Sequence, residues 1–232
     1  MTIILIEFKV GIYDLQIPVL SKVSYLDLSY NKLSGSISFL CSSAAIGLVF
    51  LDLSRNNISR EVPDCLTHLE NLVMLDLSYN ALSGKIPTTI GSVFRIETLK
   101  LRSNRFVGQL PSSLKNCTSL VVIDVGHNKL SRPIPEWLGS GNQLTGQITP
   151  EIGNLQSLDA LDLSRNQIEG RIPTSLSRID RLSFLDLSFN KLSGEIPIET
   201  QLQGFDPSVY AGNQLCGPPL KNLCADQMCK RN

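Results

Sequence analysis

Apolar and polar residues alternate along this chain in a unit that recurs over most of its length. Residues 72–87 (LVMLDLSYNALSGKIP) show the unit as L-x-x-L-x-L-x-x-N-x-L-x-G-x-I-P, and residues 158–173 and 182–197 repeat it with few changes. Its asparagine returns at Asn31, Asn56, Asn80, Asn104, Asn128, Asn142, Asn166 and Asn190, and most of the gaps are 24 residues. A fixed period of about two dozen positions predicts a stack of similar coils, none of which can bury its apolar side alone.

The L-x-x-L-x-L part of each unit has the alternation of a half-buried strand. Leu72, Leu75 and Leu77 are expected to point inward. Outward positions are expected for Val73, Met74, Asp76 and Ser78. The asparagine ends the strand, since its short amide can bond backbone groups of its own and the next coil. The proline that closes the unit removes an amide donor, so the return path should be irregular. We therefore predict an α/β-class solenoid, a right-handed superhelical arc with a parallel inner sheet of about eight strands and an irregular or 3-10 convex side.

The repeat pattern changes at both ends of the chain and once in between. Residues 1–22 are predicted to be a degenerate, truncated first repeat, and residues 23–197 carry the regular repeats. Residues 198–224 are predicted to form a C-terminal cap, and residues 225–232 a disordered tail. Asn128 and Asn142 are much closer together than one period, so two coils compete for the same short segment. We predict a seam at 136–142, where the sheet is interrupted.

Charge and hydropathy give no support to a nucleic-acid partner or a membrane span. The formal net charge is zero, so a polyanion gains no general attraction to the chain. The longest apolar run, from Ala44 to Leu51, is too short to cross a bilayer. The N-terminal sequence MTIILIEFKV lacks a basic n-region, so no signal peptide is visible.

The cysteines nevertheless indicate an oxidising compartment. Cys216 and Cys224 flank a Gly/Pro-rich stretch and are predicted to close the cap with a disulfide. Cys41 and Cys65 lie at nearly the same place on adjacent coils, within plausible bridging distance. Cys117 and Cys229 have no such partner, although a buried free thiol is the simple expectation for Cys117. Two sequons predict N-glycosylation at Asn57 and Asn116, which also fits secretion.

One column of carboxylates raises the question of catalysis. The column consists of Asp27, Asp52, Asp76, Asp124, Asp162 and Asp186. Neighbouring carboxylates in it would be ~5 Å apart, a separation used by retaining glycosidases. A column repeated on nearly every coil is better explained as scaffold, with bonds to neighbouring serines, because no acid/base pair is singled out. Cys65-x-x-His68 is only half of a zinc spacing. We expect no metal, no cofactor and no enzymatic activity.

Binding has better support, in the outward positions of the inner sheet. These positions collect Tyr25, Tyr30, Phe50, Arg55, Met74, Tyr79, Lys100, Arg102, His127, Arg165, Phe184 and Phe189. Exposed aromatic and arginine side chains on a rigid sheet dominate interface energies. The alternative, left open, is that the aromatics stack on one another and stabilise the sheet. Lys100 and Arg102 replace the usual aspartate and serine, so the repeat consensus does not explain them.

The unit LxxLxLSxNxLSGxIP resembles the plant-specific leucine-rich repeat. Residues 60–80, 110–130, 142–166 and 200–220 (TQLQGFDPSVYAGNQLCGPPL) resemble the membrane-proximal part of plant receptor-like proteins, kinase-less cell-surface immune receptors that include fungal-xylanase receptors. The resemblance implies a plasma-membrane or extracellular location, a protein or peptide ligand and a co-receptor kinase ectodomain as partner. It makes Thr200 and Gln201 candidates for the co-receptor contact, with a plain capping turn as the alternative.

The chain also departs from that family. It lacks the signal peptide, the cysteine-bearing N-terminal cap, the non-repeat island and the transmembrane helix that such receptors carry. Despite these departures, the resemblance favours a recognition module in defence signalling that acts through co-receptor kinases. A secreted inhibitor of cell-wall hydrolases and a gene fragment without function of its own are the alternatives.

Overall fold

The inner wall of the molecule is one parallel sheet of eight strands. The computed structural model describes residues 21–131, 155–198 and 200–224, together with the backbone of residues 2–4. Its strands are β1 (Thr2–Ile4), β2 (Tyr25–Asp27), β4 (Phe50–Asp52), β6 (Met74–Asp76), β8 (Thr98–Lys100), β10 (Val122–Asp124), β12 (Ala160–Asp162) and β14 (Phe184–Asp186). They are paired in the order β1-β2-β4-β6-β8-β10-β12-β14. The predicted solenoid and its inner parallel sheet are confirmed.

The expected interruption of this sheet is wrong. Strand β10 pairs directly with β12, so that Ile123 lies opposite Leu161, in the same register as every other neighbouring pair. The coils of Asn128 and Asn166 are therefore neighbours, although their asparagines are separated by more than one period of the repeat. Residues 136–142, where the seam was placed, lie outside the described residues. The sheet stays continuous because the flanking coils complete each other's hydrogen bonds.

A second set of strands follows the asparagines and was not predicted. Five of them form a parallel sheet: β3 (Ser34–Gly35), β5 (Asn57–Glu61), β7 (Ala81–Gly84), β9 (Arg105–Gly108) and β11 (Lys129–Leu130). Three more form another: β13 (Glu169–Gly170), β15 (Lys191–Glu195) and β16 (Gln214–Cys216). A bridge between Ser131 and Gln167 links the two sets. Together they form the lateral face of the solenoid, beside the inner sheet.

The convex side is built from short 3-10 helices, as the prolines of the repeat predict. They span Ser38–Cys41, Ser43–Gly47, Leu66–His68, Thr88–Ser92, Ser112–Asn116, Thr174–Arg178, Gln201–Gly204 and Pro207–Tyr210. Pro87, Pro111 and Pro173 directly precede three of them with extended backbones. Among the described residues, no helix has the length and apolar character needed to cross a membrane.

The repeated leucines fill one core that runs through the stack. Leu72, Leu75 and Leu77 are at most 1% exposed, and the same buried cluster extends from Val23 to Leu215. Burial of each such side chain stabilises the fold by ~1.5–3 kcal/mol relative to exposure. Because each coil supplies only part of this core, the coils are stable only when stacked.

The asparagines form a ladder of hydrogen bonds inside the stack. Asn56 is typical: its Nδ2 donates to the carbonyl of Leu53 at 3.0 Å and to that of Leu28, one coil earlier, at 2.9 Å. Its Oδ1 accepts the amide of Leu33 at 3.0 Å. Asn166 makes the same bonds to Val125 and Leu130, so the ladder also passes from β10 to β12. Each asparagine thus satisfies backbone groups that the turn would leave buried and unpaired.

Both predicted disulfides are present. Cys41 and Cys65 join adjacent coils on the convex side with their Cα atoms 5.4 Å apart, and Cys216 and Cys224 close the cap at 5.1 Å. Cys117 is a buried free thiol, as expected, and burial raises its pKa to about 11. Cys229 lies outside the described residues.

Candidate functional site

The residue before each asparagine has a left-handed backbone, which side chains other than glycine seldom adopt. The φ angles lie between 51° and 55° for Tyr30, Arg55, Tyr79, Ser103, His127, Arg165 and Phe189. Because the same turn is repeated on every coil, these side chains form a column along the border of the inner sheet. Most of the predicted binding residues belong to this column or to the first strand positions beside it.

Five of these residues lie on the first coils in two groups, together called the aromatic cluster here: Tyr30, Arg55 and Tyr79 in the column, and Tyr25 and Phe50 at the starts of their strands. The guanidinium of Arg55 lies between two rings, 4.9 Å from the centroid of Tyr30 and 4.2 Å from that of Tyr79. Tyr25 and Phe50 are stacked with their centroids 6.2 Å apart. These contacts hold the side chains in place without burying them, since Tyr30 is 73% and Tyr25 49% exposed. Stacking and exposure, the two alternatives left open by the sequence, therefore occur together.

Met74 extends the aromatic cluster by one coil. It lies opposite Phe50 in the strand register and is half-buried. Beyond it the equivalent positions carry Thr98, Val122 and Ala160, so the large exposed side chains give way to small ones.

Lys100 and Arg102 are paired with carboxylates of the scaffold. The ammonium of Lys100 lies 3.8 Å from Asp76, and Arg102 contacts Asp124 at 3.4 Å and pairs closely with Asp162, two coils away. Burial lowers the pKa of Arg102, but Asp162 and Asp124 outweigh it, so that the pKa is raised. Contacts within the chain therefore explain why Lys100 and Arg102 differ from the aspartate and serine of the repeat consensus.

Gly126 makes the long reach of Arg102 possible. It occupies the position that serine fills on most other coils, between Arg102 and Ser164 along the stack. A methyl group at Gly126 would lie 2.7 Å from both Arg102 Nη1 and Asp162 Oδ1. Arg102 therefore reaches Asp162 past Gly126, the position at which the intervening coil has no side chain.

The C-terminal coils carry a smaller group of exposed side chains. Arg165 lies over the ring of Phe189, 4.2 Å from its centroid, and Phe184 is 51% exposed. A methyl group added at Gly212 would lie 2.6 Å from the ring of Phe189, so the cap supports this ring. His127 is exposed one coil earlier, and burial together with Arg102 and Arg165 lowers its pKa.

The carboxylate column has the scaffold role that the repeated pattern suggested. In six coils an aspartate Oδ1 accepts the backbone amide two residues later, at 2.8 to 3.1 Å. Burial raises the pKa of Asp52, and burial followed by the charge of Asp162 raises that of Asp124. Asp76 and Ser78, which were expected to face out, are buried and bonded to each other. Among the described residues, no group of three or more possible ligands could hold a metal ion.

Thr200 and Gln201 use their polar atoms within the chain. Thr200 Oγ1 donates to the carbonyl of Pro197 at 2.8 Å and accepts the amide of Leu202 at 3.3 Å. Gln201 Nε2 donates to the carbonyl of Ile179 at 2.8 Å, on the preceding coil. These bonds support the capping-turn alternative.

Two further features of the structure were not foreseen from the sequence. Asn213, which lies within the cap and about one period after Asn190, is the last rung of the asparagine ladder; its Oδ1 accepts the amide of Leu192 at 2.9 Å. Arg60 has a φ of 74° at a position that is glycine in Gly35, Gly84 and Gly108. The spacing of Asn213 could have predicted its place in the ladder. An alignment of the repeats would have shown that Arg60 stands where other coils carry glycine.

The sequence matches one family model, and the structure matches plant proteins. The model for Leucine Rich Repeat matches residues 22–43, 47–69, 71–93, 95–117, 119–140, 157–179 and 181–201. No curated protein matches the sequence. The ectodomain of the Arabidopsis thaliana membrane receptor kinase GASSHO1/SCHENGEN3 is similar, with a TM-score of 0.77 and 29% identity over 88% of this chain and 23% of that one.

Two further solved structures show the range of similar proteins. The ectodomain of the Arabidopsis receptor kinase HAESA, in complex with an IDA peptide hormone, has a TM-score of 0.67 and 35% identity, covering 88% of this chain and 36% of that one. A plant ice-binding protein has a TM-score of 0.70 and 30% identity, covering 93% of this chain and 72% of that one. The chain thus spans well under half of these receptor ectodomains. With its repeats matched over most of its length, this chain belongs to the leucine-rich repeat family.

Proposed function

We propose that this chain recognises an extended peptide or protein segment on its inner sheet, as the membrane-proximal part of a plant receptor-like protein in defence signalling. The aromatic cluster carries the proposal, because Tyr25, Tyr30 and Tyr79 are exposed on a rigid sheet and held in place by their neighbours. Preorganised aromatic side chains of this kind lose little entropy on binding. The similar ectodomain of HAESA was solved with the peptide hormone IDA and the co-receptor SERK1.

The remaining parts of the proposal concern partner and location. A co-receptor kinase ectodomain would dock on the cap near Thr200 and Gln201. Their polar atoms are bonded within the chain, so it would contact the parts of these two residues that remain exposed. The two disulfides favour an oxidising, extracellular compartment. Asn57 and Asn116 are both exposed and accessible to glycosylation, on the lateral face and the convex side, which would leave the inner sheet uncovered.

A peptide selection tests this function directly. Random peptides displayed on phage are selected on the purified chain, and the affinities of the recovered peptides are compared with those for Tyr25→Ser/Tyr79→Ser. Removing one hot-spot aromatic costs ~2 kcal/mol, so we expect the loss of two to lower affinity by at least roughly thirtyfold. Purified SERK1 ectodomain should then bind the complex of chain and peptide more tightly than the chain alone.

Phe94→Ser is the matched control, because Phe94 is 58% exposed outside the inner sheet. It should leave peptide affinity unchanged. Equal affinity of the peptides for Tyr25→Ser/Tyr79→Ser and for the unmodified chain would refute recognition by the aromatic cluster. Equal binding of SERK1 with and without peptide would refute the co-receptor part.

A further inference from the structure

The inner sheet carries a second exposed apolar group, far from the aromatic cluster. Phe184 is the first residue of strand β14 and is 51% exposed, and Phe189, in the column before the asparagines, is 47% exposed. The ring of Phe189 contacts the guanidinium of Arg165 on the preceding coil and lies against Gly212 of the cap. These two phenylalanines, here called the distal pair, form a second candidate anchor on the same sheet.

The distance between the two groups is fixed by the strand order. Met74 and Tyr79 lie on the coil of β6, at the end of the aromatic cluster, and the sheet continues from β6 through β8, β10 and β12 to β14 in one register. Paired strands are ~4.8 Å apart, so four steps place the groups ~19 Å apart. An extended peptide rises ~3.3 Å per residue, and ~6 residues therefore span this distance.

The surface between the two groups offers no aromatic anchor. The first outward positions of the three intervening strands carry small side chains, namely Thr98, Val122 and Ala160. The column beside these strands continues with polar residues, namely Ser103, His127 and Arg165. A ligand that lies along the sheet would therefore find apolar partners at two places only in this stretch.

The middle of the column is positively charged. His127 and Arg165 are exposed, whereas Asp162 is 7% exposed and paired with Arg102. Burial lowers the pKa of His127, and the charges of Arg102 and Arg165 lower it further, each by more than Asp162 or Asp186 raises it. Charge complementarity therefore favours a carboxylate of the ligand beside the middle of the column.

We propose that the aromatic cluster and the distal pair bind two ends of one extended peptide. This peptide has an apolar residue at each end of a spacer of ~6 residues, and an acidic residue within the spacer. Its carboxylate faces Arg165 and His127, away from the opposite border of the sheet, where Glu97 is exposed. The inference rests on the proposed function, since it specifies the ligand of the same sheet.

The shape of the sheet favours a linear occupant. The paired segments of β6, β8, β10, β12 and β14 are three residues long, so the sheet is ~10 Å wide, a width that one extended chain and its side chains cover. Two anchors joined by a spacer of matching length bind more tightly than either alone, because the second anchor binds within the complex already formed.

A random peptide library displayed on phage and selected on the purified full chain tests the proposal. We expect the recovered peptides to share two apolar residues separated by ~6 residues, with aspartate or glutamate between them. Phe184→Ser/Phe189→Ser should lower their affinity at least roughly thirtyfold. The control Ile46→Ser/Phe94→Ser removes side chains that are 51% and 58% exposed outside the inner sheet, and should stay within about twofold of the unmodified chain.

Shortened peptides separate this inference from the proposed function. A peptide cut back to the end that binds the aromatic cluster should lose affinity for Tyr25→Ser/Tyr79→Ser and keep it for Phe184→Ser/Phe189→Ser. Full peptides that need the aromatic cluster but bind Phe184→Ser/Phe189→Ser normally would overturn the two-anchor inference and leave the proposed function standing. Peptides insensitive to both double variants would overturn both, and recovered peptides without a preferred spacing would overturn the inference alone.

A cycle between peptide and chain tests the charge. Replacing the acidic residue of a recovered peptide with its amide should weaken binding roughly fivefold. Arg165→Gln should weaken binding of the acidic peptide by the same factor and leave the amide peptide unchanged. Arg171→Gln, at an exposed position beside strand β13, should affect neither peptide. Equal effects of Arg165→Gln on both peptides would overturn the acidic spacer.

Two measurements complete the test. Circular dichroism melts establish that each variant is folded, and Phe184→Ser alone serves if the double variant is not. Sedimentation of the unmodified chain should show a monomer. A dimer that dissociates on Phe184→Ser would overturn the proposal in favour of a second copy of the chain as the occupant.

Discussion

Arg60 is the only described non-glycine residue with a positive φ outside the column that precedes the asparagines. The preceding coil explains how it fits. Glu61 lies over Gly84 and Arg171 over Gly194, each filling the space beside a glycine of the next coil. At the corresponding place before Arg60 the chain has Ser36, which is too short to fill that space. A side chain is therefore tolerated at Arg60, although its backbone angle remains unfavourable.

Replacing Arg60 with glycine should stabilise the fold. Glycine adopts a positive φ without the ~1–2 kcal/mol penalty of a Cβ atom, and its greater freedom in the unfolded chain removes part of that gain. We expect the free energy of unfolding in urea to rise by ~0.5–1 kcal/mol. Arg60→Ala removes the charge but keeps the Cβ atom, so it should give no gain. If both variants had the same stability, backbone strain would not be the cause.

At the scale of the element, the strand and the asparagine that ends it form one unit. The strand supplies leucines to the core, and the asparagine bonds the backbone of two coils at once. Asn104 is 9% exposed and donates to the carbonyls of Leu77 and Leu101 while it accepts the amide of Leu82. This element could be predicted from sequence because its hydrogen bonds follow from one residue at a fixed period.

Removing one rung of the ladder should be costly. Asn104→Ala leaves the amide of Leu82 and two carbonyls without their partner, and each buried unsatisfied group costs ~1–3 kcal/mol. We expect the free energy of unfolding to fall by ~3 kcal/mol in urea titrations followed by circular dichroism. Asn57→Ala, at an exposed asparagine beside the ladder, should change it by less than ~0.5 kcal/mol. Equal effects of the two substitutions would contradict the ladder.

At the scale of the whole molecule, the period of the repeat predicts what recurs on every coil and misses what bridges coils. The inner sheet, the buried leucines and the disulfide between Cys41 and Cys65 follow from the regular spacing. The second sheet was missed because several of its strands end in the glycine of the repeat, a residue that weakens a strand prediction. The pairing of Arg102 with Asp162 was missed because these residues are far apart in sequence and meet only across Gly126. The continuity of the sheet was missed for the same reason, since direct pairing of β10 with β12 removes the expected interruption.

This continuity is the central claim, because a single inner sheet makes the aromatic cluster and the C-terminal coils parts of one surface. A double-mutant cycle between Arg102 and Asp162 tests it most directly. The two residues lie on either side of the segment 132–154 and can interact only if the flanking coils are neighbours. With single and double alanine variants unfolded in urea, we predict a coupling energy of ~1 kcal/mol or more, against at most ~0.3 kcal/mol for a control cycle between Arg55 and Asp162. Additive effects of Arg102→Ala and Asp162→Ala would contradict the continuous solenoid.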